Sequence, residues 1–138
     1  MKSYGKWGLL TMVLVAGAFF LGAETAHPKP IKRVGMVVGV KPDKIEEYKR
    51  LHADSNAGVR DLLTKYHMHD FSIYLQQIEG KWYEFGYYEY TGDNFDGDMA
   101  KLDAEPRNTE WLKLCDPMQQ PLTGEKSWTK MERVYYNP

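Results

Sequence analysis

The chain of 138 residues predicts one α+β domain built on an antiparallel sheet. Three observations carry that expectation. IKRVGMVVGV (31–40) alternates bulky and lean residues with the period of a strand. KPDKIEEYKRLHADSNAGVRDLLTKY (41–66) places its apolar residues at helical spacing. HDFSIYLQQ (69–77) and KWYEFGYYEY (81–90) are aromatic-rich runs joined by Ile78, Glu79 and Gly80, the form of a hairpin.

Residues 1–23 precede this domain. Lys2 and Lys6 make a positive start, GLLTMVLVAGAFFLG (8–22) is uncharged and apolar, and small residues follow at Gly22 and Ala23. That is the layout of a signal peptide cleaved after Ala23, with Thr25 the second choice. The apolar run is shorter than the roughly 20 residues a spanning helix needs. The mature chain is therefore expected to be exported, to the periplasm or beyond, with no membrane attachment. Residues 24–30 form a spacer in which Pro28 and Pro30 resist regular structure.

The domain then occupies 31–138. In its first strand Val34, Met36, Val38 and Val40 oppose Arg33, Gly35, Val37 and Gly39. Pro42 and Asp43 open the helix. At about 100° per residue, Ile45, Tyr48, His52, Val59, Leu62 and Leu63 share one face. Within it ADSNAG (53–58) forms helix poorly and is expected to bend or interrupt the run. The second strand sets Phe71, Ile73 and Leu75 against Ser72, Tyr74 and Gln76, and the third carries large aromatics on both faces. A loop leads to a short helix at DMAKLDAE and a second at PRNTEWLKLCDPMQ ending near Pro117, and WTKMERVYY (128–136) alternates as the last strand. The order is β-α-β-β-α-β, the ferredoxin-like arrangement. Its helices cover one sheet face, and a second copy of the chain is the economical cover for the other.

A formal net charge of −1 gives no basic stripe, so nucleic acid is not an expected partner. The single cysteine, Cys115, excludes an intramolecular disulfide and reads as a buried thiol. His67 and His69 are two apart on an incoming strand, but two ligands make no site, and no metal is expected.

The unusual feature is polar. Tyr48 and His52 are one helical turn apart on the face that points at the sheet, with Phe71 and Phe85 expected opposite. Two arrangements fit: a core His bonded to a core Tyr, or a His in an apolar pocket whose pKa is tunable around neutrality. Glu84 and Glu89 are five apart in one strand, on opposite faces, and do not form a carboxylate pair. Trp111, in EWLKL, is either core or an aromatic platform for a ligand.

Taken in order, RVGMVVGV, KPDKIEEYKRLH, HDFSIYL, EFGYYEY, EWLKLCDPMQQPL, GEKSW and ERVYYNP resemble the L-rhamnose mutarotases, over about Lys32 to Pro138. The resemblance implies a ferredoxin-like domain of the dimeric α+β barrel type. It implies interconversion of α and β anomers of L-rhamnose without cofactor or metal. Carried over by position, His52 is the proton donor and Tyr48 a sugar contact, while Phe71 and Trp111 shape the pocket. The chain departs from the family where Phe71 replaces a Tyr, where Glu110 precedes Trp111 in place of a second Trp, and where ADSNAGV follows the His. The second acid/base is not legible, with Asp54 and Tyr74 the candidates. A binding module on the same scaffold, without turnover, is the alternative expectation. A small oxygenase of this fold comes third.

Overall fold

The computed structural model describes residues 30–138, so the expected signal peptide and all but the last residue of the spacer lie outside the described residues. Nine elements follow. They are β1 (Lys32–Val40), α1 (Ile45–His52), α2 (Arg60–Lys65), β2 (Met68–Ile78), β3 (Lys81–Tyr90), α3 (Phe95–Asp103), α4 (Pro106–Cys115), β4 (Gln119–Gln120) and β5 (Thr129–Met131). All strands pair antiparallel in the order β2-β3-β1-β4, with β5 also on β1. This is the ferredoxin-like topology that the element order implies.

The period-two pattern of β1 decides which face is buried. Val34, Val38 and Val40 lie under the helices, and the register sets Val38 beside Glu84 and Val34 beside Tyr88. Val59 and Leu62 from the helical side close on Tyr88, Tyr90 and Met68, with Leu102 from α3 completing the core. Burying each such side chain contributes about 1.5–3 kcal/mol.

The long helix breaks where ADSNAG cannot sustain it. α1 ends at His52, and Gly58 takes φ +53° while its N–H donates to Asn56 Oδ1 at 3.1 Å. Arg60 then reaches back to the carbonyls of His52 (3.0 Å) and Ala53 (3.2 Å) and also bonds that of Asn56. A cation placed there satisfies the open carbonyl end of α1 and complements its dipole.

Two expectations are corrected. The last strand is not the full 128–136 run. Its pairing with β1 is split into Gln119–Gln120 beside Gly39–Val40 and Thr129–Met131 beside Gly35–Val37. Pro121 follows β4 directly and has no N–H to extend the ladder, and Val134 and Tyr135 beyond β5 are exposed. Phe85, in turn, does not face Tyr48 and His52. It pairs across to Val37 and Tyr74, on the face away from the helices, because strand parity assigns that side to odd positions of β3. Tyr74 is 65% exposed there.

Candidate active site

A cavity of about 790 Å³ opens between the helices and the sheet, and Tyr48, His52, Phe71, Trp111, Gln119 and Trp128 stand in its wall. All four residues singled out in the sequence thus meet at one cavity. α1 delivers Tyr48 and His52 a turn apart, with their rings stacked at 3.9 Å. Trp111 of α4 meets the His52 ring edge-on at 5.2 Å. Phe71 arrives through a register shift between His69 and Ser72, where Asp70 has φ +51°, and stacks on Tyr88 at 5.5 Å.

His52 Nδ1 lies 3.0 Å from the Tyr48 carbonyl oxygen. A carbonyl only accepts, so Nδ1 carries the hydrogen in the neutral ring and Nε2 carries the lone pair. Burial pushes the His52 pKa below the ordinary imidazole value, against the raising effect of that bond, and the Arg60 charge lowers it further. At neutral pH the ring is therefore a neutral base. To act as a donor it must first take a proton.

Tyr48 is 5% exposed, and burial followed by the charge of Glu84 pushes its phenol far above the ordinary range. Glu84 itself was not singled out by the sequence. It is 0% exposed, interacts with the Tyr48 phenol, and accepts from Gln119 Nε2 on its Oε2 at 3.4 Å. Its Oε1 has no hydrogen-bond partner among the described residues. Burial raises its pKa to about 7, against the lowering contacts of Tyr48 and Gln119. Cys115 lies buried at the same cavity, as the sequence suggested, and burial lifts its thiol to about 12.

In the sequence Trp128 marks only the start of the last strand. It packs over Gly86, where a Cβ would stand 3.2 Å from its ring and 2.8 Å from the Met36 methyl. That glycine is what lets an indole line the sheet floor of the cavity. Gly58 does the same for Trp111: a Cβ there would meet the indole at 3.2 Å, and φ +53° is strained for any side chain. Gly58→Ala is therefore expected to cost about 1–2 kcal/mol of stability and to loosen Trp111 against His52. Urea denaturation and the fluorescence of a Trp128→Phe background would read both effects.

The candidates for a second acid/base are corrected by position. Tyr74 is on the opposite sheet face. Asp54 touches the cavity mouth, but its carboxylate is fully solvated and pairs at 3.6 Å with Arg60. The two histidines do not share a face either. His67 precedes β2 with φ +63° and turns toward Asp98 (3.9 Å), while His69 lines the cavity. Among the described residues, no group of three or more His, Cys, Asp or Glu comes together to hold a metal.

Fold and cavity together define the class: a ferredoxin-like α+β protein whose helix–sheet cleft carries a neutral imidazole among aromatic walls, the equipment of acid–base chemistry on a small ligand. The family model described as L-rhamnose mutarotase matches residues 33–137, and the chain belongs to that family. L-rhamnose mutarotases are carbohydrate isomerases that need no cofactor. Over 90 residues the chain is 29% identical to the L-rhamnose mutarotase of Oceanobacillus iheyensis, covering 65% of this chain and 82% of that protein. Among solved structures, tetracenomycin F2 cyclase from Streptomyces glaucescens, a type II polyketide cyclase, superposes with a TM-score of 0.52 at 14% identity. That match covers 78% of this chain and 97% of the other, and it speaks to the fold alone.

Proposed function

We propose that the chain is an exported mutarotase, interconverting the α and β anomers of L-rhamnose or a closely related pyranose by acid–base ring opening and closure. The observation that carries this reading is His52, neutral and with its tautomer set by the Tyr48 carbonyl, in the wall of a cavity also lined by Trp111 and Trp128. Ring opening removes the proton of the anomeric hydroxyl and adds one to the ring oxygen, and closure on the other face reverses both. A neutral imidazole suits the first transfer. The indoles and Phe71 offer flat apolar surfaces to the C–H faces of a pyranose. Because Phe71 lacks a hydroxyl, it contributes only its ring.

Export is supported by the leader pattern of residues 1–23. A homodimer is supported by the sheet face away from the helices, where Val37, Tyr74 and Phe85 form a row that no helix among the described residues covers. Sedimentation of the mature chain tests the second point, and only a monomer at high protein concentration would overturn it.

The activity is tested by saturation-transfer NMR between the α and β anomeric protons of L-rhamnose at equilibrium, with L-fucose and D-glucose beside it. Accelerated exchange with L-rhamnose, weaker or absent with D-glucose, is the expected result. A folded protein that accelerates none of them is a binding module at most.

A further inference from the structure

We propose that Glu84 holds the second proton of the ring-opening reaction and exchanges it with the sugar through the Tyr48 hydroxyl. This rests on the mutarotase reading and supplies the partner that His52 needs. Glu84 is fully buried on the helix-facing side of β3, between Val38 of β1 and Leu75 of β2. Packing alone favours an aliphatic residue at such a position, since a lone buried carboxyl costs stability. Among the described residues no Lys, Arg or His forms an ion pair with it, and only one of its oxygens has a hydrogen-bond partner, at 3.4 Å. The groups that face it are Tyr48 from α1, Cys115 from α4 and the neutral Gln119 from β4. Cys115 stays a thiol through the neutral range.

Tyr48, Cys115 and Gln119 all line the cavity and face the carboxyl, but of these three it is Tyr48 that stacks on His52 and carries a hydroxyl able to pass a proton on. Its phenol is too weak an acid to ionise, so it acts only by giving one proton while taking another. The ring-opening step then balances. His52 Nε2 takes the proton of the anomeric hydroxyl, the O–H electrons form the C1=O1 bond, and the C1–O5 bond breaks onto O5. O5 takes the Tyr48 proton as Tyr48 takes the Glu84 proton. The step leaves an imidazolium and a carboxylate. Rotation about C1–C2 and closure return both protons, so no co-reactant is consumed. Glu84 never touches the sugar and is a positioning residue in this scheme.

The experiment is the pH profile of kcat/KM for anomeric exchange in the wild type, Glu84→Gln, Tyr48→Phe and the double variant. The wild type should rise with pH as His52 loses its proton, then fall near pH 7 as Glu84 loses its own. Glu84→Gln should lower kcat by about 10²-fold with little change in KM and abolish the fall near pH 7. Tyr48→Phe, which disconnects the carboxyl and removes a contact that lowers its pKa, should do the same, and the double variant should be no slower than the slower single. A Glu84→Gln or Tyr48→Phe enzyme that keeps the fall near pH 7, at any rate, overturns the proposal. Because Tyr48→Phe leaves the buried carboxyl in place, a Glu84→Gln protein that fails to fold does not remove the test. A wild type silent on every sugar overturns the mutarotase reading itself, and is recognised because all variants are silent with it.

Discussion

His52→Ala will lower the rate of anomeric exchange by about 10²–10⁴-fold, the usual range for loss of a positioned acid or base. The reasoning starts from the ring's environment. Its Nδ1–H is committed to the Tyr48 carbonyl, it stacks on the Tyr48 ring at 3.9 Å, and Trp111 closes its edge. The imidazole is therefore held in one tautomer and one orientation, so its loss removes a placed base rather than a wandering one. The same contacts are modest in stability, because the residue is half-buried and its single side-chain bond is to the Tyr48 carbonyl, which lies within the hydrogen-bond ladder of α1 and is not orphaned by the loss. The variant should stay folded by circular dichroism while its saturation-transfer signal falls to the solvent rate. Added imidazole should restore part of it. A His52→Ala protein that exchanges L-rhamnose at the wild-type rate would falsify the assignment.

Glu84→Gln will remove a loss of stability that the wild type suffers as pH rises toward neutrality. The folded carboxyl has a pKa near 7 against an ordinary value of 4.5, so between these two the native state keeps a proton that the unfolded chain loses. Native binding of the extra proton makes stability fall as pH rises through that window, and the loss is complete above the folded pKa. The magnitude is roughly 3 kcal/mol. Glutamine keeps the shape and does not ionise, so the variant lacks this loss. The difference in urea midpoint between the two proteins should be small at pH 4.5 and should favour the variant by pH 8. His52 titrates in both proteins and cancels in the comparison. Equal midpoints across the range would mean that Glu84 ionises freely, as if solvated. A residue whose removal stabilises the fold and slows the reaction is retained for chemistry, which links this result to the pH profile of exchange.

The sequence by itself determined the element order, the antiparallel hairpin, the interruption after His52 and the inward turn of Tyr48 and His52. Each of these is written in a local period, two for strands and 3.6 for helices, or in local chemistry such as the weak helix formers of ADSNAG. Strand parity alone set Phe71 opposite Tyr48 and His52, while the pocket roles of Phe71 and Trp111 came with the family resemblance. Membership in the family was carried by the order of seven short stretches, and the match over residues 33–137 agrees with it.

Glu84 was not legible, although its strand was. Both faces of KWYEFGYYEY are aromatic, so composition could not say which parity is buried. The deciding fact is register: Val38, on the bulky face of β1, lies beside Glu84, and Val37, on its lean face, lies beside Phe85. Reading that parity across the hairpin was the signal available, and it needed the pairing as well as the pattern. Trp128 is not legible as a cavity residue because its place depends on the missing side chain of Gly86, two strands away in the sheet. The split of the last strand depended on how a short loop and Pro121 reach the β1 edge. Burial of a carboxyl, packing of an indole and pairing of an edge are all set by residues far apart in the chain. Their energies exist only once the sheet has closed, and so tertiary structure alone decided them.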